Sequence, residues 1–159
     1  MKSLRENDDN CYLLSKMQAN IFEQSSIDNI PSAYFVKVFA NSIYAKMMDN
    51  LDFFNSSLSE NDIYQNVKDN VKMSRGTVYP DYVMHWVGYI LRGWSYLYKV
   101  NTNSILKKIP LSSFVKAYYP YHSLDVTKAI ERIADDNKVD LTNTLENKLK
   151  KILSMTFDL

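Results

Sequence analysis

The side chains best suited to catalysis or metal binding in this sequence are two histidines, His85 and His122, and one cysteine, Cys11. Neither histidine belongs to a spacing such as His-Glu-x-x-His, which places two metal ligands on one helix face. Cys11 lies in DNCYLL, the start of an amphipathic pattern, and no cysteine-hydrolase signature surrounds it. The 3 dispersed glycines cannot form a phosphate-binding loop or a dinucleotide fingerprint. The sequence therefore indicates no catalytic residue, metal site or cofactor, and an enzymatic activity is not favoured.

A polar strip runs along the aromatic segment YPDYVMHWVGYILRGWSYLYK, residues 79–99. Its members recur at three- and four-residue steps on an otherwise apolar helix: His85, Gly88, Arg92, Ser95 and Lys99. In the favoured interpretation, Arg92 pairs with an acidic residue inside a helical bundle and holds the helices in register. In the functional interpretation, Arg92 belongs to a positive groove floored by Trp94 and Tyr96, which accepts an acidic or aromatic group from a partner.

A second aromatic cluster follows in YYPYH, residues 118–122. Its rings either cover the end of the core or form a contact surface, since Tyr, Trp and Arg dominate the hot spots of protein interfaces. The functional interpretation joins this cluster to the polar strip. The predicted partner-binding residues are then Arg92, Trp94, Tyr96, Tyr121, His122 and His85.

Length and composition predict a single globular domain over residues 1–159. The chain has 46% hydrophobic and 23% charged residues, and its 3 glycines and 4 prolines are too few for a β-rich fold. A net charge of +1 gives no attraction to nucleic acid or to anionic membranes. Two small lysine clusters, at 107–108 and 148–151, are interpreted as solvated helix faces, so nucleic acid binding is not indicated.

The sequence predicts a cytoplasmic protein without a membrane span. A single cysteine fits a reducing compartment, and the first residues, MKSLRENDDN, contain no apolar stretch that would make them a signal peptide. The 17 residues from Tyr82 to Tyr98 are at the short limit for crossing a bilayer. Arg92 within them would cost about 2.5–3.5 kcal/mol in a bilayer, so this segment is not expected to be a membrane anchor.

Hydrophobic periodicity predicts that residues 80–99 form the central helix of a bundle. Apolar side chains cover this helix on nearly all sides, and Pro80 lies at its start, where a missing N–H is harmless. Gly88 and Gly93 lower helix propensity by roughly 1 kcal/mol each relative to alanine. Their expected role is to let a neighbouring backbone come close.

The other elements are also predicted to be helices. One covers residues 9–24, and a second starts near Ser32 and carries one apolar stripe as far as Met47. Ser59 and Asp62 form a capping-box pattern before a third helix. Further helices are expected at 104–109, at 112–119, after Asp125 and at 141–153. The prediction is an all-α, single-domain bundle of six to eight helices.

Three stretches resemble, in order and spacing, a family of small bacterial proteins with no settled activity: FANSIYAKMMDN, YVMHWVGYILRGWSYLYKVNTNSILKKI and YYPYHSLDVTKAIERI. In that family the second stretch is similar to YxxGxxYRYWxYxTxxSSKxIYK and the third to YHTLDPxxAIE. The resemblance covers residues 35–133, although Leu91 and Gly93 replace two tyrosines of the family pattern. The matching positions are Gly88, Arg92, Trp94, Tyr96, Ser104, Tyr121, His122, Leu124, Asp125, Ala129, Ile130 and Glu131.

The resemblance implies a role in a bacterial toxin–antitoxin or phage-defence system, because genes of this family often lie beside toxin-like genes, including ADP-ribosyltransferase-like ones. The chain would then be an antitoxin-like protein-binding module that neutralises a cognate toxin by direct contact. The alternative is that the chain is itself the toxic or nucleotide-acting component, with a site at His85, Arg92 and His122. A third, weaker hypothesis is a transcriptional regulator, which requires a continuous basic face that the sequence does not show. The oligomeric state stays open.

Overall fold

The computed structural model describes residues 9–50 and 52–141, and every regular element in these ranges is helical. In chain order the elements are α1 (Asp9–Ile27), α2 (Ser32–Ala40), α3 (Ile43–Asp49), a 3-10 helix (Asp52–Asn55), α4 (Glu60–Asp69), α5 (Asp81–Tyr98), α6 (Thr102–Lys108), α7 (Leu111–Tyr121) and α8 (Val126–Asp136). The predicted all-α bundle of six to eight helices is confirmed, with eight α-helices in the described part of the chain. The helix predicted at 141–153 falls almost entirely outside the described residues.

Helix α5 is the centre of the bundle, as the periodicity predicts. It packs along α1 and also contacts α6, α7 and α8. It begins after Pro80 and ends where Lys99 adopts a left-handed conformation with a φ of 53°. Its buried apolar residues lie on several sides of the helix and include Val83, Met84, Val87, Ile90 and Leu91. Within the described ranges, no helix combines the length and hydrophobicity that a membrane span requires.

The backbones of α1 and α5 come into direct contact at Gly88. A Cβ atom placed on Gly88 would lie 2.8 Å from the carbonyl oxygen of Gln18 and 3.0 Å from the Cα atom of Ala19. Any larger residue would therefore push the two helices apart, since neither of these atoms belongs to a flexible side chain. The prediction that Gly88 admits a neighbouring backbone is confirmed.

The sequence predicts one continuous helix over residues 32–47, but the chain forms two, α2 and α3. Asn41 and Ser42 separate them. The Asn41 side-chain amide donates to the carbonyl of Lys37 at 2.8 Å, and the Ser42 hydroxyl accepts from the backbone N–H of Ala45 at 3.3 Å. Because these polar side chains satisfy helix-terminal backbone groups, the single helix is replaced by a capped break in the middle of the apolar stripe.

The capping box predicted for α4 is confirmed. The Ser59 hydroxyl accepts from the backbone N–H of Asp62 at 3.1 Å, and the Asp62 carboxylate accepts from the backbone N–H of Ser59 at 3.0 Å. Hydrogen bonding to the Ser59 backbone lowers the pKa of Asp62. The cap fixes where α4 begins, and the helix then places Ile63 and Val67 in the core.

Two tyrosine side chains are held in their neutral form at the margin of the core. Burial raises the pKa of Tyr89 to about 12, because an ionised phenolate there would lose its solvation. Burial also raises the pKa of Tyr64, whose hydroxyl donates a hydrogen bond to the carboxylate of Asp28. The folded state therefore resists ionisation at both positions.

Replacing Gly88 with alanine should lower the free energy of unfolding by about 1–3 kcal/mol, because the new methyl group overlaps the α1 backbone. The expected loss is the net effect, since the overlap should outweigh the gain of about 1 kcal/mol that alanine brings through helix propensity. Urea denaturation measures the effect. Lys99→Gly, at the C-cap of the same helix, is the control, and it should stabilise the fold because glycine adopts the left-handed conformation without strain. Equal stability of Gly88→Ala and the parent chain would contradict the close contact.

Alkaline pH should destabilise the protein in a defined window. The unfolded-state pKa of tyrosine is about 10, and the folded-state pKa of Tyr89 is about 12. Because the folded value is raised, the contribution to stability is complete below about pH 10 and is lost as the pH rises toward the folded-state pKa. The free energy of unfolding, measured by urea titrations at several pH values, should therefore fall less steeply above about pH 10 in Tyr89→Phe than in the parent chain.

Phenylalanine at the exposed Tyr34 is the control for this experiment, because the substitution removes a phenol outside the core. The Tyr34→Phe variant measures how the loss of a tyrosine hydroxyl outside the core alone affects the unfolding free energy. A slope in Tyr89→Phe that matches the parent would show that Tyr89 ionises as easily in the folded as in the unfolded state.

Candidate functional site

Arg92 is completely buried and lies at the centre of a polar network inside the bundle. Its side chain is 0% exposed, although it is the longest cation on α5. Its Nε atom donates to the Oε1 atom of Gln18 on α1 at 2.9 Å. Its Nη1 atom donates to the Oδ1 atom of Asp49 on α3 at 2.6 Å, which makes a buried ion pair. The favoured sequence interpretation, an arginine paired with an acidic residue inside the bundle, is confirmed.

Asp49 joins three helices through one carboxylate. Besides Arg92, it accepts from the Thr102 hydroxyl at 2.8 Å and from the Thr102 backbone N–H at 3.4 Å, at the start of α6. The Ser95 hydroxyl lies 3.0 Å from the same carboxylate and 2.6 Å from the carbonyl of Val100. With its side chain only 8% exposed, Asp49 links the end of α3 to both α5 and α6.

Gln18 completes the network from the side of α1. Its amide nitrogen donates to the carbonyl of Gly88 at 3.0 Å, while its amide oxygen accepts from Arg92. The Gln18 side chain thus forms a hydrogen bond with the backbone of α5, where α1 and α5 come into contact, and another with the Arg92 guanidinium one turn further along α5. The sequence signal for Gln18 is its place between Leu14 and Ile21 on the apolar face of α1, where a polar residue requires a buried partner.

The electrostatics of the network follow from burial and from the nearby carboxylate. Burial lowers the pKa of Arg92, and the adjacent Asp49 carboxylate opposes this by favouring the charged guanidinium. An arginine remains protonated in proteins, so the pair is ionic. The Nη2 atom of Arg92 is buried without a hydrogen-bond partner among the described residues. The network therefore has a structural role, in which Arg92 and Asp49 each require the other as a counterion.

The predicted contact role of Arg92 and Trp94 needs correction, because both residues are inside the bundle. Trp94 is 2% exposed and packs against Phe114 of α7 with ring centroids 5.9 Å apart. Arg92 is fully enclosed, and the small exposed part of Trp94 lines a cavity beside Tyr98 and Ile105.

The middle of the polar strip, Gly88, Arg92 and Ser95, faces α1, α3 and α6, because Gly88 draws α1 onto this side of α5. At the two ends of the strip, His85 is partly exposed and Lys99 is exposed.

The other four predicted site residues are spread over the surface. Tyr96 is half-buried, and His85 lies 3.5 Å from the carboxylate of Glu23. Tyr121 donates to the carboxylate of Asp136 on α8 at 2.6 Å, and His122 is exposed. Arg92 is not joined by a hydrogen bond to His85 or His122.

An exposed cluster of rings lies where the start of α5 meets the end of α7, and we call it the tyrosine surface. It consists of Tyr82, Trp86, Tyr118, Tyr119 and His122. Tyr118 is at its centre and stacks on the His122 ring at 4.3 Å between ring centroids. Tyr82 and Trp86 approach Tyr118 from α5 at 5.5 and 5.8 Å between ring centroids.

The tyrosine surface is open to solvent at three of its rings, those of Tyr82, Tyr119 and His122. Tyr82 is 51% exposed and Tyr119 is 66% exposed. A hydrogen bond between these two hydroxyls raises the pKa of Tyr82. The sequence indicates the α7 half of this cluster but not Tyr82 and Trp86. Their spacing of four residues places them on one face of α5, but nothing local shows that α7 ends beside them.

The described residues contain no candidate metal centre. In these ranges, no group of three or more histidine, cysteine, aspartate or glutamate side chains is arranged to hold a metal ion. Comparison of the chain with protein-family models, with curated proteins and with solved structures gave no match. The resemblance to the small bacterial family therefore stays a prediction from the motifs.

Replacing Arg92 with methionine should lower the free energy of unfolding by about 3–5 kcal/mol, because the Asp49 carboxylate would remain buried without its cation. Asp49→Leu should cost a similar amount. The double variant should be much more stable than the sum of the two losses predicts, since both charges are then gone. Urea denaturation of the four proteins gives this double-mutant cycle.

The control for the cycle is the exposed pair of Lys68 and Asp28, at 3.7 Å. Lys68→Met should change stability by less than about 1 kcal/mol, as is usual for a solvated ion pair. Strictly additive losses in the Arg92 and Asp49 cycle would mean that the two side chains do not interact in solution.

Proposed function

We propose that the chain is an antitoxin-like protein-binding module of the bacterial cytoplasm, which neutralises a cognate toxin or defence-related protein by direct contact. The observation that supports this proposal is the tyrosine surface, with Tyr82 and Tyr119 exposed on two different helices. Large rings with polar ends are enriched at the centres of protein interfaces, where they bury apolar area and still form hydrogen bonds. The motif resemblance supplies the class of partner.

The proposal assigns the contact to the tyrosine surface and a supporting role to the buried network. Tyr82 and Trp86 project from α5, the same helix whose Arg92 is bonded to Gln18 and Asp49. A helix fixed in this way presents its aromatic residues in a single arrangement, which lowers the entropic cost of binding. His122 contributes through its stacked position on Tyr118.

Occlusion of a toxin requires a complementary surface and no catalytic group in the antitoxin. The polar groups in the interior of the described residues suit such a protein, because Arg92 and Asp49 are both held by hydrogen bonds that support the fold. The alternative site at His85, Arg92 and His122 gains no support, because Arg92 is buried and bonded away from both histidines.

The test is co-purification of the tagged chain from bacteria that co-express its genomic neighbours. We expect a stoichiometric protein partner whose toxicity the chain suppresses. Tyr82→Ala and Tyr119→Ala should each weaken binding by about tenfold or more, the range expected for hot-spot aromatics. Tyr34→Ala, at another exposed tyrosine, is the matched control and should bind like the parent chain.

Two results would contradict the proposal. If the chain purifies alone and its expression alone stops growth, it is a toxic component and not an antitoxin. If a partner binds with unchanged affinity to a folded Tyr82→Ala/Tyr119→Ala variant, the contact lies elsewhere on the molecule. Circular dichroism melts establish that the variants are folded.

A further inference from the structure

A polar groove with a volume of about 390 Å³ lies between α3 and α6, on the solvent side of the buried network. From the α3 side it is lined by Lys46, Asp49 and Asn50. From the α6 side it is lined by Asn103, Ser104 and Lys107. This groove shares no residue with the tyrosine surface, so it requires a separate explanation.

The groove carries a net positive charge. Lys46 and Lys107 come from different helices, and neither forms an ion pair among the described residues. Of the described residues in its lining, Asp49 is the one that is acidic, and Arg92 neutralises that carboxylate from inside the bundle. Within the described part of the chain, two lysine charges therefore remain without a counter-charge in a concave site, where the field of like charges is concentrated.

The neutral lining residues add hydrogen-bond donors beside the two cations. The Asn50 and Asn103 side chains each have an amide group, and Ser104 has a hydroxyl. The Asn103 amide donates to the Asn41 side-chain oxygen at 3.1 Å, which fixes its position across the gap between α2 and α6. Lysines combined with amide and hydroxyl donors are the groups that proteins use to bind phosphate oxygens.

A second, more apolar groove continues from the first. It has a volume of about 450 Å³ and shares Asn103 and Lys107 with the polar groove. Its lining adds one further cation, Lys37, and the apolar residues Val36, Leu106 and Leu111. A ligand with a phosphate group at one end and a less polar body at the other would match the two halves, and each half has the size of a small-molecule site.

We infer that the groove between α3 and α6 binds a small phosphate-bearing molecule, with the phosphate between Lys46 and Lys107 and the less polar body over Val36 and Leu106. A single-stranded nucleic acid carries the same phosphate chemistry but is disfavoured. Proteins that bind it provide aromatic rings for base stacking, and none of the described residues that line either groove is aromatic.

Isothermal titration calorimetry and amide NMR shifts, with ADP and with pyrophosphate as probes, test the inference. We expect saturable binding of ADP, with the largest shifts at residues 46–50 and 101–107. Lys46→Gln and Lys107→Gln should each weaken ADP binding by about tenfold, the loss expected for one charge-assisted contact. ADP should bind more tightly than pyrophosphate, because only ADP has a body for the apolar half.

Lys108→Gln is the matched control. Lys108 is the next residue on α6 and is exposed, and it does not line either groove. Its substitution makes the same change in net charge but should alter ADP affinity by less than about twofold, since an exposed charge at a distance is screened by salt. Thermal melts of the three variants should match the parent, because none of these lysines supports the core.

Three outcomes would overturn the inference. No saturable binding of ADP would show that the groove has no phosphate site. Equal losses in Lys46→Gln, Lys107→Gln and Lys108→Gln would show only a diffuse attraction between the anion and a basic face. Binding of a single-stranded oligonucleotide much more tightly than ADP, with the same dependence on Lys46 and Lys107, would assign the groove to nucleic acid instead. None of these results depends on the tyrosine surface.

Discussion

The ion pair of Arg92 and Asp49 is the interaction on which the arrangement of the helices depends. Moving two charges out of water is costly, and the cost is offset only when each charge keeps its partner and its hydrogen bonds. Arg92 is hydrogen-bonded to α1 and α3, although its Nη2 atom has no partner among the described residues, and Asp49 is hydrogen-bonded to α5 and α6. Four helices are therefore held in one register, because sliding any of them would break a hydrogen bond to a buried charge.

The close approach at Gly88 and the ion pair are parts of one arrangement. Gln18 bonds both the Gly88 carbonyl and the Arg92 guanidinium, so its reach sets the distance between α1 and α5. A larger side chain in place of Gly88 would move α1 outward and carry the Gln18 amide away from Arg92. A steric requirement at one residue is thus coupled to an electrostatic requirement one helical turn away.

Local patterns predicted the parts of this structure that local physics determines. The central helix over 80–99, the Ser59 capping box and the role of Gly88 follow from spacing and residue type. The sequence favours the pairing of Arg92 inside the bundle, because a charge on a helix that is apolar on nearly all sides requires a buried partner. Asp49 was not identified as its partner, since nothing near residue 49 shows which distant helix its carboxylate meets.

The predicted groove around Arg92 and the predicted single helix over residues 32–47 differ from the structure for a related reason, because local patterns do not show which partner a side chain meets. Periodicity places Tyr96 one turn from Arg92 on the same side of α5, and it places Trp94 on the opposite side. It does not show which side another helix covers. The break between α2 and α3 depends on side-chain capping, which hydrophobic periodicity does not reveal. Asn41 and Ser42 cap helix ends through their side chains, whereas the apolar stripe continues past them.

The buried network also constrains how the chain folds. Gln18 and Asp49 lie 74 and 43 residues from Arg92 along the chain, so the charges meet only after three remote segments have come together. Contacts of such sequence separation slow folding, because a long loop must close before any of them forms. An intermediate with α5 docked on α1 alone would hold a guanidinium without its counterion. Assembly should therefore be cooperative, with α3 joining α1 and α5 in a single transition.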